Sequence, residues 1–175
     1  GMTSCTKGFL DVESKTESTT GNFYKTEQDA YRALLGCYDG YRRATCGSAV
    51  NFLVSAEVMG YACFGGSRAS DGNGMRVTDR FDLSEMPSST GSSWSGYYAG
   101  IYRCNELITR ENSIQWNETG SMHTQYMAEC HAIRAFLYFD VVRQFGNIPL
   151  LTKPTDENIP QADPADVYKL LSLIH

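Results

Sequence analysis

An all-α fold of antiparallel helical hairpins, separated by long irregular loops, is what this 175-residue sequence predicts. Three observations carry that prediction. Residues 128–151, AECHAIRAFLYFDVVRQFGNIPLL, read as a helix apolar over most of its circumference that stops at Phe-Gly-Asn and runs into an Ile-Pro-Leu exit. Earlier stretches repeat apolar residues at the i, i+3, i+4, i+7 spacing of an amphipathic helix. A short polar link joins the two longest helices, which forces them to lie antiparallel.

Residues 3–21 are rich in Ser, Thr, Lys and Glu and lack periodicity, so they read as an extended lead-in. A first helix is expected to open at Thr26, with Thr26 and Asp29 approximating a capping box. Ala30, Ala33, Leu34, Cys37, Tyr38 and Tyr41 would then form its apolar stripe. Gly36 and Gly40 weaken it by propensity, which points to close packing against a neighbour, and Gly47 is its expected end. A shorter helix is expected over 50–61. Residues 65–87 hold so many turn formers that a long irregular loop is predicted, and loops of that length are usually functional or disordered. Asp71-Gly72-Asn73-Gly74 lacks the alternating carboxylates and terminal Glu of a calcium loop, so a turn is the reading.

A helix over about 92–112 follows, with Trp94, Tyr98, Ile101, Cys104 and Ile108 as its stripe and a Glu106–Arg110 pair at i, i+4. Residues 112–121 connect it to the apolar helix, on which Cys130, Leu137, Tyr138, Val141 and Phe145 share one face. Ala132, Ala135, Phe139 and Val142 widen that face, leaving Glu129, Asp140 and Arg143 on a narrow polar strip. A helix this apolar packs on more than one side. Gly146 suits a left-handed C-terminal cap, and Pro149 keeps the helix from resuming. Pro149, Pro154, Pro160 and Pro164 make the next segment extended. Asp163-Pro164 then restarts a helix with an Asp N-cap and Pro in its first turn. Paired helices of this kind build tetratricopeptide arrays, although no clean internal repeat is present.

Composition excludes several classes. The hydrophobic fraction of 42% is globular, and no apolar run is long enough to span a bilayer. The net charge of −5 and the absence of a Lys/Arg stripe argue against nucleic acid as a partner. Six cysteines and three histidines show neither a C-x-x-C pair nor zinc-ligand spacing, so no metal or cofactor is expected. Cys37, Cys104 and Cys130 fall on apolar helix faces and read as small buried hydrophobes; a Cys37–Cys46 bridge is left open. No acid–base carboxylate pair, G-x-S-x-G elbow or phosphate-binding glycine fingerprint singles out an active site, so the chain is not expected to be an enzyme.

Four sequence features in fixed order carry a family resemblance. They are Cys5 followed by Phe9-Leu10-Asp11; Asn22-Phe23-Tyr24 with Thr26 to Ala30; Trp94 with Tyr98, Ile101, Cys104 and Asn105; and the 128–151 helix ending in Phe-Gly-Asn-Ile-Pro-Leu. In this the chain resembles the SusD/RagB family of outer-membrane glycan-binding lipoproteins. The resemblance implies a lipid anchor at Cys5, a tether over 1–21 and a helical domain over 22–175. It implies an outer-membrane, extracellular-facing location, a glycan ligand and a TonB-dependent SusC-like transporter as partner. Family members continue well past residue 175, so the resemblance also implies truncation.

Sugar recognition uses aromatic faces and planar polar side chains. Trp94, Tyr97, Asn73, Arg80 and Asp82, in or beside the Gly-rich loop, are the candidate ligand-binding residues. Against this, Trp94 opens an apolar stripe and core packing is its better reading. Tyr97 fits helix packing equally well, and Arg80 with Asp82 fits a local surface ion pair. The rival function is a tetratricopeptide-like protein–protein interaction module without a glycan role. A helical domain of a secreted glycan-processing enzyme is the third reading.

Overall fold

In a computed structural model, residues 23–46, 52–66, 68, 73–82, 84 and 86–172 are described, with backbone alone at 52, 73, 74 and 86–89. Cys5, the expected tether, Gly47 and the last three residues lie outside the described set. The helices are α1 (Glu27–Cys46), α2 (Phe52–Met59), α3 (Asn73–Asp79), α4 (Met86–Arg110), α5 (His123–Phe145) and α6 (Pro164–Ser172). Two two-residue strands, β1 (Ile148–Pro149) and β2 (Gln161–Ala162), pair antiparallel in the Pro-rich segment.

The capping box at the start of α1 forms as expected. Thr26 Oγ1 accepts from the Asp29 N–H at 3.2 Å, and Asp29 Oδ2 accepts from the Thr26 N–H at 3.0 Å. Ala30, Leu34, Cys37 and Ala44 are then buried one below another. Tyr38, assigned to that stripe by spacing, is exposed, and its hydroxyl donates to Glu129 Oε2 at 2.9 Å.

Three helices make the core. Tyr97 of α4 reaches Asp140 of α5, while Asn105 reaches Arg134, so these two helices run antiparallel as the short link required. Gly40 of α1 meets Gly100 of α4 so closely that a Cβ on Gly40 would sit 3.0 Å from the Gly100 Cα. Close packing therefore explains Gly40. Gly36 has open space around it, and its carbonyl instead accepts from Arg103 Nη1 at 2.9 Å. Arg103 also pairs with Asp39, tying α1 to α4. Tyr97, Ile101, Cys104, Leu107, Cys130, Leu137, Tyr138 and Val141 fill the space between the three helices.

Two boundaries differ from the sequence reading. Residues 65–87 are not one continuous loop, because they contain α3 and the first residues of α4. Helix α4 starts at Met86 rather than near Ser92. Its Ser/Gly-rich first turns have low helix propensity, but Ser93 is buried and Gly96 lies against Ala44, so packing overrides propensity.

Polar residues of α4 and α5 together hold the segment that leaves α5. Tyr138 Oη donates to the Leu151 carbonyl at 2.7 Å and accepts from its N–H at 2.8 Å. Asn105 Nδ2 donates to the same carbonyl, Tyr98 Oη to Pro149 O, and Arg134 Nη1 to Thr152 O at 3.3 Å. Burial is the main force pushing the Tyr138 phenol up to about 12, so it remains a neutral donor throughout the physiological range. At the helix end Gly146 donates to Val142 O at 2.9 Å and takes φ 72° with ψ −112°, a glycine conformation of positive φ but not the left-handed helical cap expected from the sequence. Asp163 caps α6 through the Ala165 N–H at 2.8 Å, and Val167 docks that helix on the core.

Candidate functional site

The site begins with two helices too short to be stable alone. Helix α2 docks through buried Ser55 and Val58, and α3 through buried Val77 and Thr78. The link between them crosses α3 at Gly65, where a Cβ would fall 2.4 Å from the Asp79 Cβ and 2.5 Å from the Met75 carbonyl oxygen. No other residue fits there without displacing backbone, so Gly65 fixes how the two helices sit together.

Both helices end in the same motif. At the end of α2 the Tyr61 N–H donates to Val58 O and the Ala62 N–H to Glu57 O. At the end of α3 the Phe81 N–H donates to Thr78 O and the Asp82 N–H to Val77 O. These are Schellman caps, whose left-handed residue is normally glycine. Here those residues are Tyr61, at φ 59°, and Phe81, at φ 51°. The left-handed conformation costs a residue with a Cβ about 1–2 kcal/mol.

The two strained residues present their rings together. Their centroids are 6.3 Å apart with planes inclined at 38°. Tyr61 is 80% exposed, Phe81 42%, and the nearby Phe64 80%. Apolar rings left in water beside one another at an energetic cost to the backbone are a functional signal. Arg80, exposed, and Asp82 flank Phe81 in the chain, and Asp82 Oδ1 accepts from the Ser84 hydroxyl at 2.6 Å and its N–H at 3.2 Å. Behind α2, Ser55, Ala56, Met59, Arg143 and Gln144 line a cavity of about 150 Å³. Gln144 Oε1 is buried without a hydrogen-bond partner, while its Nε2 donates to Ser55 Oγ at 3.3 Å.

The five candidate ligand residues fare differently. Arg80 and Asp82 lie at the aromatic pair, and Asn73 is the first residue of α3, described by its backbone alone. Trp94 packs on Tyr98 at 4.7 Å and on Phe145 at 5.0 Å, half-buried against the core, as its place in an apolar stripe suggested. Tyr97 is fully buried and donates to Asp140 Oδ2 at 3.2 Å, so its ring has no face open to a ligand. Sequence reasoning missed Tyr61, Phe64 and Phe81. The available signal was an aromatic directly after Met-Gly and another after Asp-Arg, at the ends of short helical stretches.

A second concavity, of about 520 Å³, lies at the opposite end of the bundle among Thr26, Gln115, Trp116 and Tyr126. Its groups are occupied by one another. Glu27 accepts from the Asn117 N–H and Nδ2 and the Ser121 hydroxyl, and the Asn117 backbone bond leads the forces holding its carboxyl low. Trp116 stacks on His123 at 4.2 Å and donates to Glu111 O. This is a loop clamp.

Residues 61–170 match the SusD-like family model described as starch-binding and associating with the outer membrane. Among curated relatives, SusD-like protein P38 of Formosa agariphila is 27% identical over 155 residues, 87% of this chain and 28% of the relative. SusD-like protein P25 of the same organism is 24% identical, over 83% of this chain and 28% of its own length. A solved laminarin-binding SusD-like protein superposes with a TM-score of 0.71 and 34% identity, covering 86% of this chain and 33% of that one. A SusD homologue from Bacteroides thetaiotaomicron shares the fold at a TM-score of 0.66 and 23% identity, over 91% of this chain and 31% of its own. The chain thus spans about 28% of the length of the curated relatives and 31–33% of the solved ones. The matched stretch starts at Tyr61 and runs past the α5 signature and its hydrogen-bonded exit strand, and on that ground the chain belongs to the SusD-like family.

Proposed function

We propose that this protein binds glycan at the cell surface without chemically altering it, and that the Tyr61–Phe81 pair is part of the contact surface. The observation that carries this is the placing of two exposed aromatic rings at left-handed cap positions where glycine would relieve strain. The axial C–H face of a pyranose is apolar, and stacking it on such rings removes both surfaces from water. Arg80 and Asp82 supply a charged donor and acceptors for hydroxyls at the rim. The family description as starch-binding and the laminarin-binding relative support a glucan as ligand. Isothermal titration with soluble α- and β-glucans tests it: Tyr61→Ala with Phe81→Ala should weaken binding at least tenfold. Unchanged affinity in the double variant would remove the pair from the site.

Delivery to a TonB-dependent SusC-like transporter and acylation at Cys5 complete the proposal. Among the described residues no helix is long and apolar enough to cross a membrane, and a lipid on Cys5 would supply the outer-membrane attachment. Palmitate labelling should be lost in Cys5→Ser, and affinity purification should recover a β-barrel transporter. The rival reading, a protein–protein interaction module, draws support from Tyr31, Leu35, Tyr38, Phe136 and Phe139, which leave α1 and α5 with exposed apolar side chains. Purification that recovers a partner unaffected by glycan, with no heat of glucan binding, would favour it.

A further inference from the structure

Away from the aromatic pair, the bundle encloses three thiols. Cys37 comes from α1, Cys104 from α4 and Cys130 from α5, and none has exposed surface. Their sulfurs all lie within 4.8 Å of one another. Cys37 Sγ and Cys130 Sγ are 4.0 Å apart, and the Cys130 thiol points to the Cys104 carbonyl at 3.6 Å. One buried cysteine is adequately explained as a small apolar filler. Three that converge from three different helices are a donor set as well, invisible to a search for C-x-x-C because tertiary packing sets the spacing.

The distances suit an ion. Three sulfurs placed about 2.3 Å from a metal in one plane lie about 4.0 Å from each other. Among the described residues, the group offers three ligand atoms and no fourth, whereas structural zinc almost always takes four. Soft thiolates with low coordination suit Cu(I).

A cation is buried on the same helix as Cys130. Arg134 follows Cys130 by four residues and is only 9% exposed. Its Nη1 bonds the neutral Asn105 Oδ1 at 2.8 Å and Thr152 O, and among the described residues no carboxylate forms an ion pair with it. A buried cation with no anionic partner favours deprotonation of a nearby thiol.

We propose that Cys37, Cys104 and Cys130 form a binding site for a soft, three-coordinate metal ion of the Cu(I) class. Each thiol that ligates releases its proton to solvent, and Arg134 offsets part of the resulting negative charge.

The test uses the full chain, reduced and metal-free, refolded without oxygen in the presence of Cu(I) supplied as its bicinchoninate complex. One ion per chain should transfer from the chelator, and X-ray absorption should show three sulfur neighbours about 2.2–2.3 Å from copper. Transfer should fall at least tenfold in Cys104→Ala and persist in a Cys5→Ala, Cys46→Ala, Cys63→Ala triple variant. Copper left on the chelator by the refolded wild type would overturn the proposal. So would uptake undiminished in Cys104→Ala, a two-sulfur coordination shell, or tighter retention of Zn(II) than of Cu(I). The sulfur count is read on the wild type, so it decides the matter even if Cys104→Ala fails to fold.

Discussion

Two regions of this molecule meet a positive φ at a helix end with opposite residues. In the bundle, α5 ends on Gly146 at φ 72°, where the absence of a Cβ removes any strain. In the α2–α3 unit the left-handed positions carry Tyr61 and Phe81. Aromatic residues are treated differently as well. Tyr97 and Tyr138 are fully buried in the bundle, with hydroxyls satisfied by Asp140 and Leu151, while Tyr61 and Phe64 stand in water. One region is optimised for stability. The other gives up backbone stability to display apolar surface, which is what the proposed glycan contact requires.

The largest expected effect lies in the bundle. Leu137 is fully buried and its Cδ1 would be 2.9 Å from a Cβ on Gly100, so it fills the space that glycine opens. Leu137→Ala should cost about 2–5 kcal/mol, measured by denaturant unfolding. The same truncation at exposed Phe64 should change global stability by less than about 0.5 kcal/mol. Equal losses at the two positions would erase the contrast between the regions. A smaller effect is expected from Tyr138→Phe, which strips the Leu151 N–H and carbonyl of one partner each. It should cost about 1–3 kcal/mol, with hydrogen exchange accelerating first at Leu151.

What could be read in the sequence divides along the same line. The bundle was legible because its signals are local and redundant: the Thr26–Asp29 box, the 3.6-residue stripes, Gly146 before Pro149, and Asp163-Pro164. The antiparallel pairing of α4 and α5 followed from the shortness of the link between them. The aromatic pair was not legible. Its first half sits at the end of an eight-residue helix with little amphipathic character, and its second follows a helix hidden in a run of turn formers. Gly65 read as a flexible turn residue, whereas its role is to let the chain cross α3. Tyr97 drew attention as an aromatic near the loop, yet one position from Tyr98 on a helix is about 100° of rotation, and that turned it into the core. The convergence of Cys37, Cys104 and Cys130 depends on three helices meeting, which no spacing within one segment encodes.

Reversing the residue choice at the left-handed caps gives an effect of opposite sign. Tyr61→Gly and Phe81→Gly should each relieve about 1 kcal/mol of backbone strain. The measurement is amide exchange at Ala62 and Asp82, whose N–H groups close the two caps and report on local opening there. Exchange there should slow several-fold in the glycine variants even as glucan affinity drops. Faster exchange would mean that ring packing, at 6.3 Å between Tyr61 and Phe81, outweighs the backbone strain and that the pair is structural.

The smallest effect is electrostatic and confined to the bundle. Asp39 of α1 faces Arg103 of α4 at 3.0 Å and Arg43 at 2.7 Å. Hydrogen bonding from Arg103, followed by that from Arg42, lowers its carboxyl from an ordinary 3.8 to about 2. A carboxyl depressed in the folded state stabilises the fold above its unfolded value and loses that contribution as pH falls through the folded one. The α1–α4 contact should therefore weaken as pH drops from about 4 to about 2, and thermal unfolding of wild type should follow. Asp39→Asn should be slightly less stable at neutral pH and should flatten the pH dependence within that window. Because Asp39 is on the surface, salt should shrink the difference between the two proteins. If Asp39→Asn kept the wild-type slope, the α1–α4 seam would be held by the Gly40–Gly100 contact and its apolar neighbours alone.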